Sequence, residues 1–417
     1  MSRLWYIFLL LSVFAATSKL VQGQSLPEDP VFHFSLVHAF AGGADGAFPG
    51  YASLIFDDKG NLYGATTIGG VQTGQCVATG GCGTIFRIDR SGREGVFYAF
   101  GGDPNDPRLP YGTLIRDADG SFYGTTYAGG ASGPLACSDG CGTVYTVSPS
   151  GEEKTLYSFT GGEDGATPSA ALTMGEDGRL YSTTHNGGID EAGVVFALDR
   201  RGEESVVHFF LDGDDGANTL AGLVRDPAGN LYGTTVAGGG FNPKCLGAFG
   251  CGTIYEITTS GEEIVLYRFQ GLNDGKWPNG GLVRDEQGNL YGTSGGGVGN
   301  SGTVFQLDPA GNFTVLHTFT VGAEGANPAT ALTRDAEGVF YGTTLYGGGT
   351  HCPGGQGCGT VFALTKAGQF KVLHSFDGKD GFWPSSALTL GASGELYGTT
   401  NGGGPHNSGV VFKITTR

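Results

Sequence analysis

The sequence predicts a seven-bladed β-propeller with four strands in each blade. Three observations carry this expectation. A phrase of one apolar residue, Tyr and a small residue recurs seven times, six of them with Gly in the last place. Each copy sits in the same order of short strand-like runs and glycine turns. Beyond its first residues, the chain nowhere sustains the three- and four-residue apolar spacing of a helix.

The copies are Leu62-Tyr63-Gly64, Phe122-Tyr123-Gly124, Leu180-Tyr181-Ser182, Leu231-Tyr232-Gly233, Leu290-Tyr291-Gly292, Phe340-Tyr341-Gly342 and Leu396-Tyr397-Gly398, with tyrosine spacings of 60, 58, 51, 59, 50 and 56. The last copy shows the unit clearly. An outer strand, Val372–Phe376, leads through an acidic glycine turn to Pro384, which opens an inner strand over Ser385–Leu390. A second strand follows at Glu395–Thr400 and a third at Gly409–Ile414. Runs of five to seven β-branched and aromatic residues suit a pleated sheet. Turns such as Asp226-Pro227-Ala228-Gly229-Asn230 supply left-handed glycine and side chains that bond the local backbone. On this register the chain starts with an outer strand, Ser35–Phe40, and ends on a third strand. The N-terminal strand therefore completes the last blade and closes the ring without a free edge. Before each inner-strand leucine stands Ser53, Thr113, Ala171, Gly222, Gly281, Ala331 or Ala387, small enough to crowd around an axis.

Residues 1–23 have the pattern of a signal peptide, with Arg3 ahead of an apolar run from Leu4 to Ala16 and cleavage expected before Gln24. A retained membrane anchor is the alternative. Residues 24–33 are expected to be a short linker and 34–417 one propeller domain. Net charge is −17, or −19 without Arg3 and Lys19. Such an acidic chain is not expected to bind nucleic acid by neutralising phosphate. It is expected to be extracellular, monomeric and not inserted in a membrane.

The Asp-x-x-Gly-Asn-Leu-Tyr-Gly-Thr-Thr phrase, the Gly-Thr-Val-Phe strand and the Val-Leu-His-Ser-Phe strand resemble the GloVer (Gloeobacter–Verrucomicrobia) tandem repeat of extracellular proteins, over about residues 34–416. A looser similarity runs to NHL-type propeller repeats. The resemblance implies the fold; it implies no reaction and no catalytic residues. Three departures stand out: Ser182 replaces glycine, Thr219 replaces a proline found in the other six copies, and the first copy has one extra residue before Leu54.

The eight cysteines fall into close pairs, Cys76–Cys82, Cys137–Cys141, Cys245–Cys251 and Cys352–Cys358, each inside one loop between second and third strands. Four disulfides in an oxidising compartment are expected. Zinc spacing is absent, with His351 the only histidine beside a cysteine, and no metal site or cofactor is expected. The acidic turns place Asp45, Asp106, Asp164, Asp215, Asp274, Glu324 and Asp380 in a ring. Turn chemistry explains them, with calcium as the cation such oxygens would take.

Function has to come from positions where copies differ. Just ahead of the inner strand stand Phe48, Leu109, Thr167, Asn218, Trp277, Asn327 and Trp383. Trp277, Trp383 and Phe48, with Asn327, Asp274, Asp380 and Asp45, form the candidate ligand site, suited to stacking and hydrogen bonding on a sugar. Packing of those rings against neighbouring loops is the competing reading. His38, His208, His317 and His374 share a strand position with Tyr98, Tyr157 and Tyr267 and read as aromatic packing. His185 and His406 stand apart as the catalytic candidates. Asn312 begins a glycosylation sequon, relevant in a eukaryotic host. The sequence thus predicts a secreted binding protein for an extracellular glycan or protein. A polysaccharide lyase or glycoside hydrolase on the same face is the first alternative, and a purely structural protein the second.

Overall fold

A computed structural model describes residues 31–101, 105–130, 137–245, 250–296, 301–349 and 352–416. The stretch read as a signal peptide, and His351, lie outside these residues.

Seven antiparallel sheets stand in a ring, one per repeat. Blade 1 runs Ile55–Phe56, Leu62–Thr66, Thr84–Ile88, Glu94–Ala99 from the axis outward, and the next five blades follow the same order. Blade 2 adds Pro107–Pro110, paired with the end of Phe122–Gly129. Blade 7 is assembled from both ends of the chain. Thr389–Leu390, Leu396–Thr400 and Val410–Thr416 are joined by the outer strand Phe32–Ala39, paired from Phe32 opposite Thr416 to Ala39 opposite Val410 with one register shift between Leu36 and His38. The closing strand begins three residues earlier than its sequence pattern suggests.

Inner strands are shorter than expected. In blade 7 only Thr389–Leu390 of the 385–390 segment joins the ladder. The residues before it face the neighbouring blade instead, and their carbonyls are taken by second-strand threonines across the seam. Thr125 Oγ1 donates to Ala170, Thr293 to Thr330 and Thr343 to Pro384, at 2.9–3.2 Å. At the closure seam the inner segment itself donates: Ser385 Oγ to the Gly50 carbonyl at 2.8 Å and Thr389 Oγ1 to that of Leu54 at 2.6 Å.

The recurring phrase has a mechanical account. Where an aspartate opens the preceding turn, the tyrosine hydroxyl donates back to it, as Tyr123 to Asp117, Tyr291 to Asp285 and Tyr341 to Asp335, at 2.9–3.0 Å. In four copies its last threonine pairs with the threonine that starts the third strand, as Thr66 with Thr84, Thr126 with Thr143 and Thr344 with Thr360. Its glycine lies under an aromatic ring of the third strand. A Cβ on Gly292 would stand 2.5 Å from Phe305 Cζ. Ser182 takes that place in blade 3 because its hydroxyl donates to the Ala171 carbonyl at 2.9 Å. Gly292→Ala, with no such outlet, is expected to overpack the blade and cost about 1–3 kcal/mol, read as a lower denaturant midpoint; an unchanged midpoint would refute the packing account.

Candidate functional site

Two loops of every blade share one face, as the strand order requires. The turn from the preceding outer strand and the loop between second and third strands pair through their backbones, at Ala47 with Ile68, Ala166 with Asn186, Ala217 with Ala237 and Phe382 with Gly402. All four disulfides lie in these loops as predicted, with Cα separations of 5.0–5.3 Å. They are buried against the turn that enters the next blade. A Cβ on Gly101, Gly161 or Gly271 would run into the sulfur of Cys76, Cys141 or Cys245. Each bridge therefore fixes the shape of two loops.

At the centre of this structure is a cavity of about 460 Å³ on the ring axis. The seven small residues expected around the axis, Ser53 through Ala387, all line it. A second ring lies two residues earlier in each inner segment: Tyr51, Tyr111, Ser169, Leu220, Asn279, Ala329 and Ser385. Sequence reasoning missed this ring, although strand alternation places it on the same face as the small residues. Tyr51 stacks on Tyr111 at 4.4 Å, and Tyr111 meets Tyr127 at 5.2 Å. Tyr51 and Tyr127 keep 41% and 39% of their surface exposed. Burial, with Tyr51 and Tyr127 beside it, pushes the Tyr111 hydroxyl well above its usual pKa. Ser169 and Asn279 also line the cavity, and their Oγ and Oδ1 atoms are buried without a hydrogen-bond partner among the described residues. Among the described residues no carboxylate, imidazole, lysine or arginine lines it.

The residues proposed from sequence for stacking lie elsewhere in the wall. Phe48, Leu109, Thr167, Asn218, Trp277, Asn327 and Trp383 all have φ between 53° and 58°. That left-handed residue ahead of the inner segment breaks the alternation, so its side chain does not follow the axial ring. Trp277 lies half-buried beneath Lys276 Nζ, 4.1 Å from the ring centre. Trp383 packs edge-on to Phe382 at 4.8 Å and belongs to the cluster around Cys352 and Cys358. Phe48 is half-buried in the first blade. His185 occupies the repeat position of Tyr127 and Leu345 rather than standing outside the repeat. Its Nδ1 is buried without a partner among the described residues, and burial lowers its pKa, favouring neutral imidazole. His406 is exposed in the blade 7 loop. Asn312 lies in an exposed turn, its amide donating to Asp308 at 2.8 Å.

Comparison with known families decides the relationship. The model of the Gloeobacter/Verrucomicrobia repeat matches residues 28–246, 135–355 and 246–417. The chain belongs to this repeat family. No curated protein matches it. Among solved structures, this Gloeobacter/Verrucomicrobia repeat propeller is similar to virginiamycin B lyase from Staphylococcus aureus, with a TM-score of 0.56 at 12% identity over 92% of this chain and 99% of that one. It is also similar to the extracellular domain of a hybrid two-component system from B. thetaiotaomicron, with a TM-score of 0.53 at 14% identity. That match covers 92% of this chain and 41% of the other, so the chain spans about two fifths of its length. At these identities the likeness shows the propeller fold.

The acidic ring of the repeat propeller holds its own turns. Asp164 accepts from the Thr160 and Gly162 amides and from the Tyr157 hydroxyl, and Asp274 from the Gln270 and Leu272 amides and Tyr267. Asp45 accepts from the Ala41 amide at 2.6 Å, and Asp380 from the Asp377 amide, with His374 Nε2 at 2.7 Å. The shared His/Tyr position thus faces an acid, while its ring packs edge-on to a buried phenylalanine two residues on, as Tyr98 does to Phe100 and His208 to Phe210.

A second carboxylate stands near the acid at four seams. Burial and then the Asp164 charge push Glu204 up to about 7. Its folded pKa lies above its unfolded one, so the folded chain holds the extra proton between about pH 4.5 and 7. Stability attributable to that proton is lost as pH rises through this window. Glu204→Gln is expected to raise stability at pH 8 by about 1 kcal/mol after solvent screening and to leave it unchanged at pH 4.5. Thermal denaturation at both pH values checks this; an equal gain at both would rule out titration as the cause.

Proposed function

We propose that the protein is a secreted binding propeller that holds an uncharged stretch of extracellular carbohydrate at the axial cavity. One observation carries the reading: a partly exposed stack of Tyr51, Tyr111 and Tyr127 borders a cavity whose other lining residues include the polar Ser169 and Asn279. Sugar rings offer apolar C–H faces to aromatics and hydroxyls to amide and hydroxyl groups. The absence of charged side chains from the lining among the described residues supports a neutral ligand and binding without glycoside hydrolysis, which generally uses two placed carboxylates. The four disulfides support an oxidising compartment. Among the described residues no helix is long and apolar enough to cross a membrane.

The test is retention of the purified protein on immobilised neutral and acidic polysaccharides, with the eluate assayed for new reducing or unsaturated ends. Retention on a neutral glycan without new ends is expected, with Asn279→Ala weakening it about tenfold through the loss of one buried hydrogen bond. Retention only on acidic glycans, or no retention, would refute the reading; new ends would move it to the enzyme class.

A further inference from the structure

The seams between blades repeat one three-residue arrangement. The end of one outer strand contributes His38, Tyr98, Tyr157, His208, Tyr267, His317 or His374. The turn that follows contributes its acid. The next blade's outer strand contributes Glu94, Glu153, Glu204, Glu263, Phe313, Phe370 or Phe34. Where this third residue is phenylalanine, it stacks on the first, as Phe313 on Tyr267, Phe370 on His317 and Phe34 on His374, at 3.8–4.0 Å. Two seams, 7/1 and 3/4, combine an imidazole with two carboxylates. We propose that the seam between blades 7 and 1 is a divalent-metal site of the zinc class, ligated by His38 Nε2, Asp45 and Glu94.

The geometry carries it. His38 Nε2 lies 3.4 Å from Asp45 Oδ2 and 4.0 Å from Glu94 Oε2, and one ligand atom from each residue falls within 4.8 Å of the others. No other three-residue group of this kind occurs among the described residues. Donors about 2.0–2.1 Å from a tetrahedral zinc stand roughly 3.3 Å apart, so side-chain adjustments of about an ångström close the site. The Glu94 side chain is 9% exposed, and its Oε1 and His38 Nε2 are buried without hydrogen-bond partners among the described residues. Unpartnered buried polar atoms of this kind are costly unless a cation or proton joins them. The ligands are also held from behind: the Phe40 and His38 rings pack edge-on with centroids 4.7 Å apart, and the Ala41 amide donates to Asp45. His38 and Asp45 side chains are 20% and 24% exposed, which leaves a way in.

One imidazole with two carboxylates matches zinc better than calcium, which takes oxygen ligands alone. The 3/4 seam has the same residue types but is wider, with His208 Nε2 at 3.9 Å from Asp215. Arg268 there already acts on Glu263; blade 1 has Ala99 at that strand position.

Titration calorimetry of the chelator-treated protein with zinc chloride tests the site, with calcium chloride as the comparison. One equivalent of zinc is expected to bind. His38→Tyr and Glu94→Phe introduce the residues that other seams carry. Each is expected to weaken binding at least about a hundredfold while the metal-free protein keeps its melting temperature. If either disturbs folding, His38→Gln removes the nitrogen ligand at nearly the same volume. His208→Tyr is expected to bind as wild type does. Absence of saturable zinc binding, equal affinity for calcium, unchanged binding in the His38 or Glu94 variants, or loss in His208→Tyr would each overturn the assignment.

Discussion

Removal of residues 31–40 is expected to abolish the stable monomer. This segment supplies the whole outer strand of blade 7, paired along Val410–Thr416. Without it, that strand becomes a free edge, and free edges recruit other chains. The loss also opens two parts of the core. Phe34 stacks on His374 at 3.8 Å and lies beside Phe376 and Phe412, while Phe40 is fully buried against Phe86 at 5.0 Å. Phe40→Ala alone should cost about 3–5 kcal/mol. Size-exclusion chromatography and near-ultraviolet circular dichroism of the truncated protein check the outcome. Aggregates or edge-paired dimers without native aromatic signal are expected. A monomer with the wild-type spectrum would show that the ring does not depend on its N-terminal strand.

The blade count, the closing strand, the disulfides and the small axial residues were legible because each repeats at a fixed offset. Seven copies allow a register to be checked against itself. The shorter inner strands were not legible, because their carbonyls are bonded by threonines of another repeat, such as Thr125 to Ala170. The aromatic stack escaped for a different reason. Trp277 and Trp383 stand out in composition, whereas Tyr51 and Tyr111 are two of 17 tyrosines in a chain whose repeat already contains one. Nothing about tryptophan or leucine signals a positive φ, yet Leu109, Trp277 and Trp383 all adopt it. That turn directs the chosen position off the axial face. The His185 position was hidden because Thr67, Tyr127, Val236, Gly295, Leu345 and Asn401 share no chemistry with it. The seam trio was hidden because its members come from three separated segments.

Combined replacement of Tyr51 and Tyr111 by alanine is expected to weaken glycan binding about a hundredfold with little change in stability. The two effects separate because of where the rings lie. Tyr51 is 41% exposed and meets Tyr111 at the cavity rim, outside the buried clusters between blades. Truncation there removes stacking surface but leaves the packing of Leu54, Phe86 and Leu114 intact. An aromatic contact contributes about 0.5–1.5 kcal/mol beyond its area, and the area term of two rings brings the total to about 3 kcal/mol, or roughly a hundredfold. Trp383→Ala provides the opposite case. Its ring packs among Phe382, Cys352 and Cys358, so stability should fall by a few kcal/mol while affinity holds. Calorimetry against the retained glycan, with denaturant unfolding of each variant, distinguishes them. If Trp383→Ala loses affinity and the tyrosine pair does not, the ligand sits in the sector marked by tryptophan, and the axial cavity is not its site.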